Sequence, residues 1–242
     1  CKIPNLVNKA KELGMTSLAI TDHGNMYGVL EFVNYASEAG IKPIIGVETY
    51  LARNTVDSKI NKEDRSGYHL ILLAKNMTGY KNLIKLVSKS FIEGYYYTPR
   101  IDRSWLKEHS EGIIASSACL GGEISQMILK RNIEDAENAL LFYKDIFGDD
   151  FYLEMQNHGY DEQKLVNKEL IELSKKHNVK LIATNDIHFI NEDDYEAHKL
   201  LIAINTGKDL SEDSLYYTGN EYLKSYEQMV SLFPETPEAI QN

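Results

Sequence analysis

Apolar and polar positions alternate along this chain in two rhythms. Short, mostly apolar runs have the length and β-branched content of strands: SLAIT (17–21), KPIIGVETYLA (42–52), YHLILLAKN (68–76), GIIASSACL (112–120), DFYLEMQNHG (150–159) and VKLIATND (179–186). Between them, apolar residues recur every three or four positions, the spacing of an amphipathic helix. CKIPNLVNKAKELG (1–14) opens the chain this way. In NMYGVLEFVNYASEAG (25–40), Val29, Phe32, Val33 and Ala36 share a face, Asn25 is the expected cap and Gly40 the stop. TGYKNLIKLVSKS (78–90) places Leu83, Ile84 and Val87 inward. GGEISQMIL (121–129) begins a helix, and IEDAENALLFYKDIFG (133–148) forms one that ends at Gly148. DEQKLVNKELIELSKKHN (161–178), capped by Asp161, and NEDDYEAHKLLIAIN (191–205) complete the helical set. This alternation predicts an α/β fold with a largely parallel sheet, in one domain over 1–242 without a linker or a repeat. The polar stretch ARNTVDSKINKEDRSG (52–67) is the expected exposed loop, and the last 35 or so residues are only weakly periodic.

Charge narrows the function classes. The formal net charge is −10, and no Lys- and Arg-rich run forms the basic face with which duplex DNA binders meet phosphates. If the chain meets nucleic acid, metal ions or a partner must supply the positive charge. No apolar run reaches the roughly 18 residues of a membrane span, and no signal peptide is visible, so a cytoplasmic protein is expected. The two cysteines, Cys1 and Cys119, make no disulfide framework, which fits a reducing compartment. The chain does not begin with Met, so a fragment or a processed chain is expected.

Metal-capable side chains collect where strands end. Asp22 and His23 follow SLAIT, Glu48 lies inside IIGVE, Cys119 follows GIIASSA, and Asp186 and His188 follow KLIAT. Barrel folds put their chemistry at the C-terminal strand ends. His69 begins its strand instead, so it joins the others only if 44–52 and 68–74 pair antiparallel across the polar loop. That pairing is expected. Asp186 and His188, two apart in an extended segment, would face the same way. Asp22 and His23 would face opposite ways, leaving His23 as the ligand and Asp22 to orient it. Each residue also has a plainer role available: Glu48 could pair with a lysine, and Cys119 could be a small core side chain. His158 and Glu154 are ambiguous, His177 suits a helix C-terminus, His109 lies in a polar loop, and His198 reads as helix surface. YYYTPR (95–100) could stack bases but reads more readily as a packed rim, with Arg100 as a phosphate contact. Imidazole, carboxylate and thiolate donors together suit Zn, Mn or Fe, and paired ions are the usual apparatus of phosphoester hydrolysis.

Six stretches carry a resemblance: LGMTSLAITDHGNMYGVLEF, AGIKPIIGVETYLA, YHLILLAKN, YTPRID, SSACLGGE and ATNDIHFI. Together, and in this order, they resemble the polymerase-and-histidinol-phosphatase (PHP) domain of bacterial replicative DNA polymerase III alpha subunits. The resemblance implies a distorted, mostly parallel (β/α)7 barrel with metal ligands at one end. By motif these are His23 (TDHG), Glu48 (GVE), His69 (YHL), Cys119 (SACLGG), and Asp186 with His188 (NDIH). It implies divalent ions, more than one in an intact parent, and a phosphoesterase acting as a 3′–5′ proofreading exonuclease beside DNA-templated DNA synthesis. Free-standing phosphatases of the family tend to carry His where Cys119 stands, and polymerase members commonly carry Cys. Asp22 and Arg100 remain candidate catalytic groups. The implied partners are the rest of the polymerase chain, a DNA 3′ end, and a separate exonuclease subunit with the replisome. In the family a strand bearing His-x-His and a further acidic ligand precede KIPNLV. The domain is therefore expected to lack its first strand, to bind metal partly or not at all, and to be nearly inactive alone. Residues 206–242, ending YLKSYEQMVSLFPETPEAIQN, resemble the exit towards the polymerase palm. Two alternatives stand beside this: a non-catalytic scaffold that docks a proofreading subunit, and a free-standing PHP phosphatase. YTPRID and the C-terminal segment count against the second.

Overall fold

Pro4 at the head of α1 (Ile3–Glu12) costs that helix no hydrogen bond, because the first-turn N–H groups have no intrahelical acceptor. Val7 and Ala10 on its inner face meet β1 (Ser17–Ile20) and α2 (Val29–Ala39), in a core cluster with Leu18, Ile20, Phe32 and Ala36. The computed structural model describes residues 1–209 and 217–242. Asn25 does not cap α2. Its side chain links the carbonyl of His23 to the N–H of Tyr27, closing a turn, and the helix starts only after Gly28. Gly40 ends it in the left-handed conformation, as expected of a helix-stop glycine.

The long strand β2 (Lys42–Ala52) organises the sheet. Its first half pairs parallel with β1, and its second half pairs antiparallel with β3 (Gly67–Ala74), in a register that sets Tyr50 opposite His69. The expected antiparallel pair is therefore present. The intervening polar loop is less free than its composition suggests, because Asp64 within it is fully buried. The Asp64 carboxylate accepts the N–H groups of Asn61 and Ile60 and the Ser58 hydroxyl. These bonds, the Asn61 N–H first, hold its pKa down to about 2.

After α3 (Met77–Ile92), a small hairpin of β4 (Tyr95–Tyr96) and β5 (Thr98–Ile101) adds to the free edge of β2. Next come α4 (Arg103–Glu108), β6 (Ile113–Ser116), α5 (Glu123–Leu129), α6 (Ile133–Phe147), β7 (Phe151–Met155), α7 (Asp161–His177) and β8 (Lys180–Ala183). The strand order is β4-β5-β2-β3-β6-β7-β8, with β1 on β2. Among the described residues, four pairings are parallel (β1/β2, β2/β5, β6/β7, β7/β8), and three are antiparallel (β2/β3, β3/β6, β4/β5). The result is a curled, mostly parallel half-barrel with helices packed on it, and β3 is its one long reversed strand. The main core lies between this sheet and α3 to α7, around Leu70, Leu72, Leu83, Leu106, Leu140 and Phe151.

Two helix details differ from the sequence expectation. Leu83 is buried in α3 and Val87 packs against the core as expected, but Leu86 is buried in place of Ile84, which stays 42% exposed. Asp161 is the first residue of α7 rather than its cap, and its carboxylate takes the Lys164 ammonium instead. Among the described residues, the remaining α-helices are α8 (Tyr195–Thr206), α9 (Tyr226–Leu232) and α10 (Glu238–Gln241). The C-terminal segment packs back on the fold: Phe233 and Ala239 join the main core, and Asn242 donates to the carbonyl of Leu181. Residues 210–216 of the 206–242 segment lie outside the described residues.

Gly79, in the first turn of α3, lies against the turn that leads into β6. A Cβ there would sit 1.8 Å from the Gly112 carbonyl oxygen, so the backbones touch only because neither carries a side chain. Gly79→Ala should lower stability by about 1–3 kcal/mol by overpacking. This happens despite alanine's intrinsic helix advantage of about 1 kcal/mol. Urea unfolding of the two chains checks the sign.

Candidate metal centre

The β1–β2 pairing does not stop where β1 ends. Ile20 pairs with Ile45 and, in the same register, His23 pairs with Glu48. The backbone bonds Glu48 N–H to Asp22 O (3.1 Å) and Gly24 N–H to Glu48 O (2.8 Å) carry the register across TDHG. Registered neighbours share a face, so His23 and Glu48 point the same way and Asp22 points the other. The Asp22 carboxylate turns towards the start of α2, where a Cβ on Gly28 would lie 3.1 Å from its Oδ2. Burial raises its pKa.

Three donors meet most closely. Glu48 Oε1 is 3.0 Å from His69 Nδ1, and Cys119 Sγ is 3.4 Å from the same nitrogen. One ligand atom from each of Glu48, His69 and Cys119 lies within 4.8 Å of the other two. Reversal of β3 brings His69 here. The loop after β6 closes on it through the His69 N–H to Gly121 O bond (3.0 Å). Gly121 is required, because a Cβ would lie 2.8 Å from His69 Nδ1. Its N–H also points at Cys119 Sγ (3.4 Å).

Asp186 and His188 complete the group, with Asp186 Oδ1 3.3 Å from His188 Nε2. They do not converge as residues two apart on an extended strand. Asp186 is left-handed (φ 43°), and that turn brings both side chains together. His23 spans the halves: its Nε2 is 3.8 Å from Glu48 Oε1, and its ring centre is 5.8 Å from that of His188. Thus the structure brings His23, Glu48, His69, Cys119, Asp186 and His188 to one end of the sheet.

Burial and mutual charge shift the titration of this group. Burial, then Asp186 and Glu154, push the Glu48 carboxyl up to about 8. Burial pushes the Cys119 thiol well up, and it pushes His69 down to about 4. Burial would raise Asp186, but the His188 hydrogen bond and the surrounding imidazoles outweigh it and hold Asp186 low. Glu48 Oε1 is buried and accepts no hydrogen bond of acceptable geometry, although His69 Nδ1 is close. An orphaned carboxylate oxygen is costly unless something positive meets it. Bond lengths of 2.0–2.3 Å put donors of a tetrahedral ion about 3.3–3.8 Å apart. The close contacts, 3.0 and 3.4 Å, are near that range, so these residues fit a divalent ion.

Arg100 is not at this site. It is fully buried, and all its bonds go to main-chain carbonyls: Nε to Gly94, Nη1 to Ser58 and Asp64, Nη2 to Val56. A guanidinium spent on four carbonyls has no face left for a phosphate. The tyrosines around it do form a rim, with Tyr97 61% exposed. His198 is not a surface histidine either. Its Nε2 is buried without a partner, and its ring packs against Phe189, Tyr217 and His188. His158 is a buried structural residue between Asn185 O and Gln163. His177 does end its helix, and it pairs with Glu137 at 2.7 Å.

Glu154, ambiguous in the sequence, belongs to the surroundings of the site. It is buried beneath the cluster and held by the hydroxyls of Ser116 and Thr184 and by Gln156. Its charge raises the pKa of both Glu48 and Cys119. A carboxylate inside an otherwise apolar strand, FYLEM, is the signal that marks it.

Comparison with known proteins places the chain in a family and a fold class. A family model described as the PHP domain matches residues 1–158. DNA polymerase III subunit alpha of Borreliella burgdorferi is 48% identical over 246 residues, and that of Campylobacter jejuni is 44% identical over 253. Both alignments cover 100% of this chain and 21% of the relative, so the chain spans about a fifth of the length of these curated relatives. Among solved structures, one described as a metal-dependent phosphoesterase from Bifidobacterium adolescentis superposes with a TM-score of 0.51 at 13% identity. The match covers 76% of this chain and 81% of that one, and at such low identity it speaks to the fold. Among the described residues, no helix is long and apolar enough to cross a membrane.

Proposed function

The chain belongs to the PHP domain family, and from that premise we propose that it serves a DNA polymerase III alpha chain as a metal-dependent phosphodiesterase trimming DNA 3′ ends. The observation that carries this reading is the Glu48–His69–Cys119 triad with its orphaned carboxylate oxygen. His23, Asp186 and His188 are the further ligands, and the donor mixture suits Zn, Mn or Fe. A bound divalent ion supplies Lewis-acid polarisation of a phosphoryl oxygen and activation of water.

The chain's own residues do the rest. Glu48, on the long and fully paired β2, fixes the centre of the cluster. His69 and Cys119 close it from β3 and the loop after β6. Glu154, held by three hydrogen bonds, lies beside the cluster; burial raises its pKa, while the bonds from Ser116, Thr184 and Gln156 favour its charged form. The acidic charge of the chain repels DNA, so a cation held by these residues would mark where a phosphate can approach. Asp22 supports from behind, through its carbonyl on the Glu48 N–H. The rest of the polymerase chain is the first partner, and a 3′ end the substrate.

The test uses the full polymerase chain with a labelled, mismatched primer terminus and Mn²⁺ or Zn²⁺. Shortening of the primer, lost in Cys119→Ala while templated extension persists, is the expected result. A trimming rate unchanged by Cys119→Ala would overturn the hydrolytic role and favour the scaffold alternative.

A further inference from the structure

Residues 217–224 fold back over the 185–190 segment that carries two of the proposed ligands. Asn185 donates to the carbonyls of Asn220 (2.8 Å) and Tyr222 (2.7 Å), and the His188 N–H donates to Glu221 O (2.9 Å). The buried Glu221 carboxylate takes the N–H groups of Thr218 and Gly219, each at 3.0 Å. The Tyr195 hydroxyl donates to the Tyr217 carbonyl at 2.7 Å. These bonds fix Tyr217 with its ring centre 4.6 Å from that of His188 and 4.9 Å from that of His198. Its hydroxyl lies 3.3 Å from His188 Nδ1.

We infer that Tyr217 is a positioning residue for the metal centre: its hydroxyl holds the His188 ring with Nε2 turned into the donor cluster, whether or not an ion is bound. The two nitrogens of His188 have different neighbours. Nε2 faces Asp186 Oδ1 at 3.3 Å, and Nδ1 faces the phenol. In the neutral ring without an ion, Nε2–H donates to the Asp186 carboxylate, which leaves Nδ1 to accept from the Tyr217 O–H. With Nε2 serving as a ligand to a cation, the ring proton would sit on Nδ1 and donate to the phenol oxygen. One ring proton changes nitrogen, and the hydrogen bond reverses in place. A hydroxyl can both donate and accept, whereas a carboxylate accepts only and a lysine donates only. Partners on the far nitrogen of a ligating histidine fix its tautomer and orientation, and losing one costs about 10–100-fold in metal affinity. The inference rests on His188 being a ligand.

The test is Tyr217→Phe, which keeps the ring packed on His188 and His198 and removes one oxygen. In the metal-free chain labelled with ¹⁵N-histidine, His188 should show one tautomer, protonated at Nε2, and the variant should show a mixture. Titration with Mn²⁺ alone should give about 10–100-fold weaker binding in the variant, at an unchanged melting temperature. An unchanged tautomer population, or unchanged Mn²⁺ affinity, would overturn the inference. His188→Gln separates the two ideas. If it leaves Mn²⁺ affinity intact, His188 is no ligand and the positioning role falls with it. If it weakens binding while Tyr217→Phe does not, only Tyr217 is excluded and the ligand set stands.

Discussion

Replacing Glu48 with Gln should abolish stable metal binding at this site and, with it, any hydrolysis the parent chain performs there. The change is isosteric and the residue lies inside a long strand, so the fold survives it. What disappears is the carboxyl oxygen that His69 and His23 approach at 3.0 and 3.8 Å without satisfying, and with it the group that can ionise to meet a cation. Loss of an outer partner costs a metal site about 10–100-fold, and loss of the central carboxylate should exceed that. Metal content after dialysis against Zn²⁺ or Mn²⁺ measures it, and a variant that keeps its ion would exclude Glu48 as a ligand.

A second readout needs no ion. In the metal-free wild type the folded state keeps the Glu48 proton up to about pH 8, while an ordinary glutamate releases it near 4.5. The folded state therefore binds more protons across that interval, and stability falls as pH rises. His69, pushed down to about 4 from 6.5, runs the opposite way: the unfolded state binds more protons there, and stability rises with pH. Above about 6.5 only the first effect of this pair remains. Between roughly pH 6.5 and 8 the wild type should lose stability on the way up, and the Glu48→Gln variant should show a flatter profile. Denaturant midpoints at several pH values decide it.

The sheet was legible because each strand is a local apolar run and each helix a local period. Even the reversed β3 could be placed, since a polar loop between two apolar runs permits a hairpin-like return, and His69 then falls beside Glu48. Motif spacing likewise marked the donors. What escaped depends on contacts between residues far apart in sequence. The left-handed turn at Asp186 is set by the strap at 217–224, more than 30 positions later, which also brings Tyr217 to His188 and encloses His198. Ile84 and Leu86 are both apolar, and only the neighbouring strands decide which one α3 buries. Arg100, next to a proline in a tyrosine-rich turn, reads as exposed until the carbonyls of 56, 58 and 64 are folded round it.

That misplacement makes the second large effect one of stability. Arg100→Ala should destabilise the chain by about 3–5 kcal/mol, the range for removing one partner of a buried charged network. Four carbonyls, those of Val56, Ser58, Asp64 and Gly94, lose their donor at 2.7–3.2 Å, and a cavity opens where a large side chain was fully enclosed. Buried acceptors left without donors each cost about 1–3 kcal/mol, softened where water can enter from the loop side. Arg100→Lys should recover only part of the loss, because a point ammonium cannot span acceptors that a planar fork reaches at once. For a chain of this length the alanine change corresponds to a fall of roughly 6–20 °C in melting temperature. The damage should be local to the turn it anchors: limited proteolysis should cut first between 53 and 66. Metal affinity at the Glu48–His69–Cys119 end should stay within a factor of two or so of wild type. If Arg100→Ala instead weakened nucleic-acid trimming at an unchanged melting temperature, the guanidinium would be a phosphate contact and its four carbonyl bonds incidental.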